Sequence, residues 1–178
     1  MTYYRTTYRT RTYIAGDWEG DKNIIDKIYE WKKSPEHGLD FSDAHELSQS
    51  YDSSKPCSIK KNLAYRLDAS KTFVLIVGDK TDSLTKGSCR WCDSYDSYHG
   101  YCHSNGHIDF RSFVQYECEK AVKDGLRIVV IYNYSEVKRS KCPEIIRYKG
   151  THVNGFFLAQ DGNYYWNYDD IKDAIMGV

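Results

Sequence analysis

Two uninterrupted apolar runs, KTFVLIVGD at 71–79 and LRIVVIYN at 126–133, limit the folds open to this sequence. Neither run alternates apolar with polar residues, so each is expected to form a strand that is buried on both faces of a sheet. A helical pattern at 111–125 lies between them, as in the crossover that joins parallel strands. With a further strand predicted at 11–16, the sequence indicates an α/β fold with a mostly parallel sheet covered by helices on both faces.

Shorter patterns predict the remaining elements. Apolar residues at helical spacing indicate helices, and turn-forming residues mark the breaks between elements. In chain order we expect a helix at 24–33, a short strand at 39–44, a polar loop at 45–57, a helix capped by Ser58, a hairpin at 156–167 around Asp161-Gly162, and a final helix capped by Asn167.

The composition excludes several classes of partner. The 178 residues carry 25 Lys and Arg against 25 Asp and Glu, so we expect no nucleic acid and no membrane surface as a partner. No apolar run approaches the ~20 residues that span a bilayer. The N-terminus lacks the apolar stretch of a secretory signal, so the chain is expected in the cytoplasm with its six cysteines reduced. We expect an N-terminal extension at 1–10 and one domain at 11–178, with a Cys-rich insert at 85–108.

The insert contains a spacing that is typical of zinc sites. Cys89 and Cys92 are separated by two residues, and Cys102 follows after nine more. His107 is the fourth ligand that a short turn could bring in, with His103 and His99 as alternatives. The sequence therefore predicts a structural zinc that orders the long loop. The alternative is a reduced loop with incidental thiols, because a single Cys-x-x-Cys without a second pair is a weak signal.

One acidic residue breaks the pattern of the helix at 111–125. On a helical period, Glu117 falls within an apolar stripe formed by Phe113, Val114, Cys118, Ala121 and Val122. A buried carboxylate costs several kcal/mol or shifts its pKa, so Glu117 needs a partner, a wet cleft or a chemical role. It is either a structural acid satisfied by Arg or backbone donors, or a catalytic group in a cleft at the carboxyl ends of the strands.

The pattern over about residues 11–175 resembles a TIR-like domain of the type found in the ThsB proteins of Thoeris antiphage defence. RTYIAGDW resembles the first strand of that family and the loop after it. LDFSDAHELSQSYDSSKPCSIKKNLAYRLDASKTFVLIVG resembles its short second strand, BB loop, next helix and central strand. FVQYECEKAVKDGLRIVVIYN resembles the W-V-x-x-E-I helix and the strand that follows, and DGNYYWNY resembles the closing hairpin. The resemblance implies a flavodoxin-like sheet.

The resemblance also implies an activity, which is cleavage of NAD with release of nicotinamide. The Glu of the family helix is catalytic and corresponds to Glu117. Nicotinamide leaves as a neutral molecule, so no second carboxyl group is needed to protonate it, unlike ordinary glycoside hydrolysis. Trp18 or Phe113 would stack on a ring of the substrate, with packing in the core as the alternative role of each, and Gly16, Asp17 and Asp43 would line the mouth of the cleft.

By the same resemblance, the product is a cyclised or otherwise modified ADP-ribose that signals to a separate effector protein in antiviral defence. Self-association is expected, because many TIR proteins are silent until they assemble. The sequence departs from the family in three places. Phe113 replaces a Trp, Cys118 replaces a branched aliphatic residue, and the Cys-rich insert is not a general feature of TIR domains.

Two other functions remain open from the sequence. A non-catalytic TIR-like domain would bind partners through the loop from Asp43 to Ser58, with Glu117 as a structural acid. A receiver-like phosphoacceptor would use Asp17 and Asp79, which follow two predicted strands. The latter signal is weak, because an Asp at a strand end is usually a turn residue.

Overall fold

A computed structural model describes residues 8–47, 55–104 and 106–178. Its central sheet has four parallel strands, β1 (Arg11–Ala15), β2 (Ser70–Val77), β5 (Arg127–Tyr132) and β6 (Thr151–Asn154), in the order β1-β2-β5-β6. The two long apolar runs form β2 and β5 at the centre, as predicted, and both are buried along nearly their whole length. The predicted α/β fold with a parallel sheet is confirmed.

Helices cover both faces of this sheet, because alternate side chains of each strand point to opposite sides. On one face, α1 (Lys22–Lys33) and α4 (Tyr168–Met176) pack on Ile14, Val74, Ile76, Val129 and Ile131. On the other, α2 (Pro56–Asp68) and α3 (Phe113–Lys123) pack on Tyr13, Phe73, Leu75, Val77 and Val130. Tyr13 therefore faces the two helices that carry Arg66 and Glu117.

The prediction of a strand at 39–44 is wrong, because the segment forms only one bridge to the sheet. A single parallel bridge joins Thr12 to Asp43, and a 3-10 helix at Ala44–Leu47 follows at once. The side chain of Asp43 explains the turn, because its Oδ1 accepts the backbone N–H of His45 at 2.9 Å and bends the chain out of the extended path. The bridge lies on the free side of β1, where a flavodoxin-like sheet has its second strand, so the overall order is flavodoxin-like.

Element ends differ from the sequence predictions in two further places. Ser58 does not cap α2, which begins at Pro56 and has Lys55 as its N-cap without a side-chain bond. Asn167 does precede α4, yet its side chain donates to Asp170 rather than accepting a helix N–H. β6 was not predicted at all.

Two antiparallel hairpins complete the described part of the chain. β7 (Phe156–Leu158) pairs with β8 (Tyr164–Trp166), which confirms the hairpin expected around Asp161-Gly162. Inside the Cys-rich insert, β3 (Tyr95–Asp96) pairs with β4 (Tyr101–Cys102). Two short 3-10 turns, at Thr81–Ser83 and Cys89–Trp91, precede this hairpin in the chain.

Parts of two predictions lie outside the described residues, namely residues 1–7 of the expected N-terminal extension and residues 48–54 of the loop at 45–57. In the described part, no helix is both long and apolar enough to cross a membrane.

Candidate functional site

Glu117 lies in the middle of α3 and points into the interface between that helix and the sheet. A capping box fixes the start of the helix, with the Ser112 side chain accepting the Gln115 N–H at 3.2 Å and the Gln115 side chain accepting the Ser112 N–H at 2.9 Å. One turn later Glu117 is only 6% exposed. Tyr13 of β1, which is fully buried, donates its hydroxyl hydrogen bond to Glu117 Oε1. The acid in the apolar stripe therefore has a partner from the sheet.

Burial dominates the electrostatics of this pair. It raises the pKa of Glu117 to about 7, while the hydrogen bond from Tyr13 and the positive charge of Arg66 act in the opposite direction. Burial and the neighbouring Glu117 charge also raise the pKa of Tyr13 well above its usual value. Tyr13 thus keeps its proton and remains a donor, and Glu117 exchanges its proton near neutral pH.

A second group of side chains continues from Tyr13 towards the surface. The ring of His45 stacks on Tyr13, with centroids 4.9 Å apart, and meets the ring of Trp18 edge-on at 5.2 Å. Trp18 is 45% exposed, so this aromatic row runs from the buried carboxylate to solvent. It links Glu117, through Tyr13 and His45, to two other predicted site residues, Trp18 and Asp43.

Asp43 holds the far end of this row. Its Oδ1 lies 2.9 Å from His45 Nδ1, and its Oδ2 accepts the hydroxyl of Tyr29 at 2.7 Å. Burial raises the pKa of Asp43, but the hydrogen bonds from the His45 side chain and backbone and from Tyr29 outweigh it and bring the pKa down to about 2. Asp43 is therefore ionised at neutral pH.

The remaining predicted substrate residues make local contacts. A Cβ at Gly16 would lie 3.0 Å from the Cβ of Ile76, so this glycine permits close approach of β1 and β2. Asp17 accepts the Glu19 N–H at 3.2 Å in the turn after β1. Phe113 packs against Gly87 of the insert, where a Cβ would meet its ring. These three residues do not contact the Glu117–Tyr13 pair through any described hydrogen bond or ring contact.

The predicted zinc site is not supported. In the described ranges, no group of three His, Cys, Asp or Glu side chains is placed to share a metal ion. The predicted ligands Cys89, Cys92, Cys102 and His107 therefore do not form such a group. The cysteines of the insert have other surroundings. The Cys89 thiol accepts the Asp109 N–H at 3.3 Å, and Cys102 is buried in the short strand β4.

The acids considered for a receiver-like function are likewise not arranged as a metal group in the part of the chain that the structure describes. Between Asp17 and Asp79 lies Asp21, which is buried and accepts the Asn133 amide at 2.9 Å. Burial raises the pKa of Asp21, and the charges of Asp17 and Asp79 add to the effect despite the opposing Asn133 hydrogen bond.

A cavity of ≈ 520 Å³ lies elsewhere on α3. It is lined by residues that include Thr81, Ser112, Glu119 and Arg147, and Glu117 does not contribute to it. Glu117 is therefore buried beside the aromatic row of Tyr13, His45 and Trp18 and does not line this open cavity.

Four residues of the site were not found from the sequence, namely Tyr13, Tyr29, His45 and Arg66. Tyr13 carried a usable signal, because a tyrosine within a buried strand needs a partner for its hydroxyl. His45 and Arg66 carried none, since their roles depend on the packing of α2 and the 3-10 helix against β1.

Comparison with protein families gives one match. Residues 7–86 match the model of the TIR-like domain of the Thoeris protein ThsB. No curated protein matches the chain. The matched segment includes Tyr13, Trp18, Asp43 and His45 and ends before α3.

Proposed function

We propose that the chain is a TIR-like protein of the Thoeris ThsB type and that it is an NAD-cleaving enzyme with Glu117 as its catalytic residue. The match of residues 7–86 to the ThsB-type domain and the order of the strands in the sheet support this proposal. The observation that carries the proposal is the position of Glu117. Its carboxylate is the one that the family helix implies, and it lies one side chain away from the partly exposed aromatic row of His45 and Trp18.

The proposed chemistry needs one well-placed anion. Departure of nicotinamide leaves positive charge at the anomeric carbon of the ribose, and the Glu117 carboxylate stabilises that charge. A preorganised group of this kind lowers a barrier by ~3–4 kcal/mol in other enzymes. The ADP-ribosyl cation that remains is then captured by water or by a nucleophile of the same molecule, and the resulting ADP-ribose or cyclised product is a defence signal for a separate effector.

The proposal includes an opening step. Since Glu117 is 6% exposed and accepts a hydrogen bond from Tyr13, a ribose reaches the carboxylate only after the side chains above it move apart. Self-association, which activates many TIR proteins, is the proposed source of this opening. Assays therefore use concentrated or crowded protein and lysate from infected cells as well as dilute protein.

The test is release of nicotinamide from NAD by the wild type and by Glu117→Ala. We expect a loss of about 10²–10³-fold in the variant, because the stabilising anion is removed. Glu119→Ala is the matched control on the same helix, since its carboxylate pairs with Arg111 at the surface. Equal release from the wild type and Glu117→Ala would remove Glu117 from the mechanism.

A second candidate function is a TIR-like assembly domain without catalysis. The closed position of Glu117, with Tyr13 as donor and Arg66 nearby, favours it, because a satisfied buried acid needs no chemical role. If it is correct, Glu117→Gln retains signalling, since the amide oxygen still accepts the Tyr13 hydroxyl. Loss of signalling by a folded Glu117→Gln protein would exclude this function.

A further inference from the structure

Asp43 and His45 form an oriented carboxylate–imidazole pair. Asp43 Oδ1 accepts the backbone N–H of His45 and lies 2.9 Å from its Nδ1, so one oxygen fixes both the main chain and the ring. Tyr29 donates to the other oxygen at 2.7 Å, which holds the carboxylate in place. We assign the Nδ1 proton to the bond with Asp43, because this carboxylate is ionised and only accepts.

This tautomer leaves the other ring nitrogen available. Within the residues that the structure describes, His45 Nε2 has no hydrogen-bond partner, and the side chain is 20% exposed. A neutral imidazole held at Nδ1 by a carboxylate presents its Nε2 lone pair as a proton acceptor. Trp18 packs edge-on against the same ring and is accessible to a planar ligand.

His45 also lies close to the proposed catalytic carboxylate. The ring of Tyr13 stacks on His45, and the hydroxyl of the same Tyr13 bonds to Glu117. The side chain of Tyr13 therefore lies between the Glu117 carboxylate, which would stabilise positive charge, and the His45 imidazole, which would accept a proton. Substitution at a sugar carbon needs one group that stabilises the cation and another that deprotonates the incoming nucleophile. Both kinds of group lie on the same side of β1 here.

We propose that His45 is a second catalytic residue, the general base that deprotonates the nucleophile capturing the ribosyl cation, with Asp43 as its positioning residue. The inference rests on the proposed NAD cleavage. When the bond from the ribose to nicotinamide breaks, its electron pair leaves with nicotinamide. A hydroxyl oxygen, from water or from the same ADP-ribose, then bonds to the anomeric carbon, its proton moves to His45 Nε2, and the imidazolium releases that proton to solvent.

The experiment separates cleavage from capture. Incorporation of labelled nicotinamide into NAD requires cleavage and its reversal, whereas net loss of NAD requires capture. We expect His45→Gln to retain exchange and to lose net consumption by about 10²-fold, which raises the ratio of exchange to consumption. Asp43→Asn should raise the ratio in the same direction, a readout that a purely structural role would not move. His152→Gln is the control, because this histidine lies in β6 and bonds to Tyr132 of β5, outside the proposed site.

Azide provides the second measurement, since it is a nucleophile with no proton to lose. Azide should restore NAD consumption by His45→Gln, with formation of an azido product, and should accelerate the wild type much less. Thermal unfolding of each variant verifies that it is folded. An unchanged ratio, or a failure of azide to restore a folded His45→Gln protein, would overturn the assignment of His45. A wild type without exchange or consumption would overturn the proposed function and this inference with it.

Discussion

At the scale of single residues, Glu117 places opposite demands on stability and on chemistry. Folding removes its carboxylate from water, and the resulting pKa of about 7 means that the native state holds the proton more tightly than the unfolded chain, for which 4.5 is the ordinary value. Such a group reduces the free energy of unfolding as the pH rises from 4.5 to 7, because the native state must then give up a proton or carry a buried charge. The same buried charge is what the proposed reaction needs.

Replacing Glu117 by Gln should therefore stabilise the protein at high pH. We expect Glu117→Gln to match the wild type well below pH 4.5 and to exceed it above pH 7 by up to about 3 kcal/mol in the free energy of unfolding. Urea unfolding at a series of pH values measures the difference. Glu119→Gln, whose carboxylate is at the surface, should show no such rise. A wild type that instead gains stability between pH 5 and pH 8 relative to Glu117→Gln would contradict the raised pKa.

At the scale of secondary-structure elements, the sequence predicts best where local pattern and burial agree. β2 and β5 follow from their apolar runs, and α3 follows from its period and its caps. β6 escapes detection because THVN is short and partly polar, so its strand conformation depends on the ladder to β5. The bond between Tyr13 and Glu117 joins residues 104 positions apart, which no local pattern reveals.

The approach to β6 is set by Gly150, which has φ +75°. A Cβ there would lie 2.1 Å from the carbonyl oxygen of Ile128, and a backbone oxygen in the sheet cannot move aside cheaply. We expect Gly150→Ala to lower the free energy of unfolding by about 3 kcal/mol or more, combining the left-handed penalty with this clash.

Gly162 in the β7–β8 turn is the matched control for Gly150. Its φ is +81°, but a Cβ would meet nothing within 4 Å. Gly162→Ala should therefore cost only the conformational penalty of about 1–2 kcal/mol. Urea unfolding of both variants compares the two positions. Equal losses of unfolding free energy in the two variants would mean that the backbone before β6 can move away from Ile128 and relieve the clash.

At the scale of the whole molecule, the Cys-rich insert is attached to the domain by ordinary protein contacts. Lys60 of α2, which is buried, pairs with Asp109 at 3.2 Å and donates to the carbonyl of Arg111 at 2.7 Å. Asp109 in turn bonds to Cys89, and Phe113 packs on Gly87. These contacts connect both ends of the insert to α2 and α3, the helices that flank Tyr13, through side chains of the protein itself.

The variant Lys60→Met should therefore be less stable than the wild type treated with a chelator. Lys60→Met leaves Arg111 as the remaining cation beside Asp109, so we expect a loss of about 2 kcal/mol rather than the full cost of an unpaired buried charge. Lys61→Met, one position along the same helix and exposed, should change stability by less than about 0.5 kcal/mol. A chelator should leave the unfolding curve of the wild type unchanged. A chelator effect larger than that of Lys60→Met would mean that a bound ion, and not the Lys60–Asp109 pair, joins the insert to the sheet and its helices.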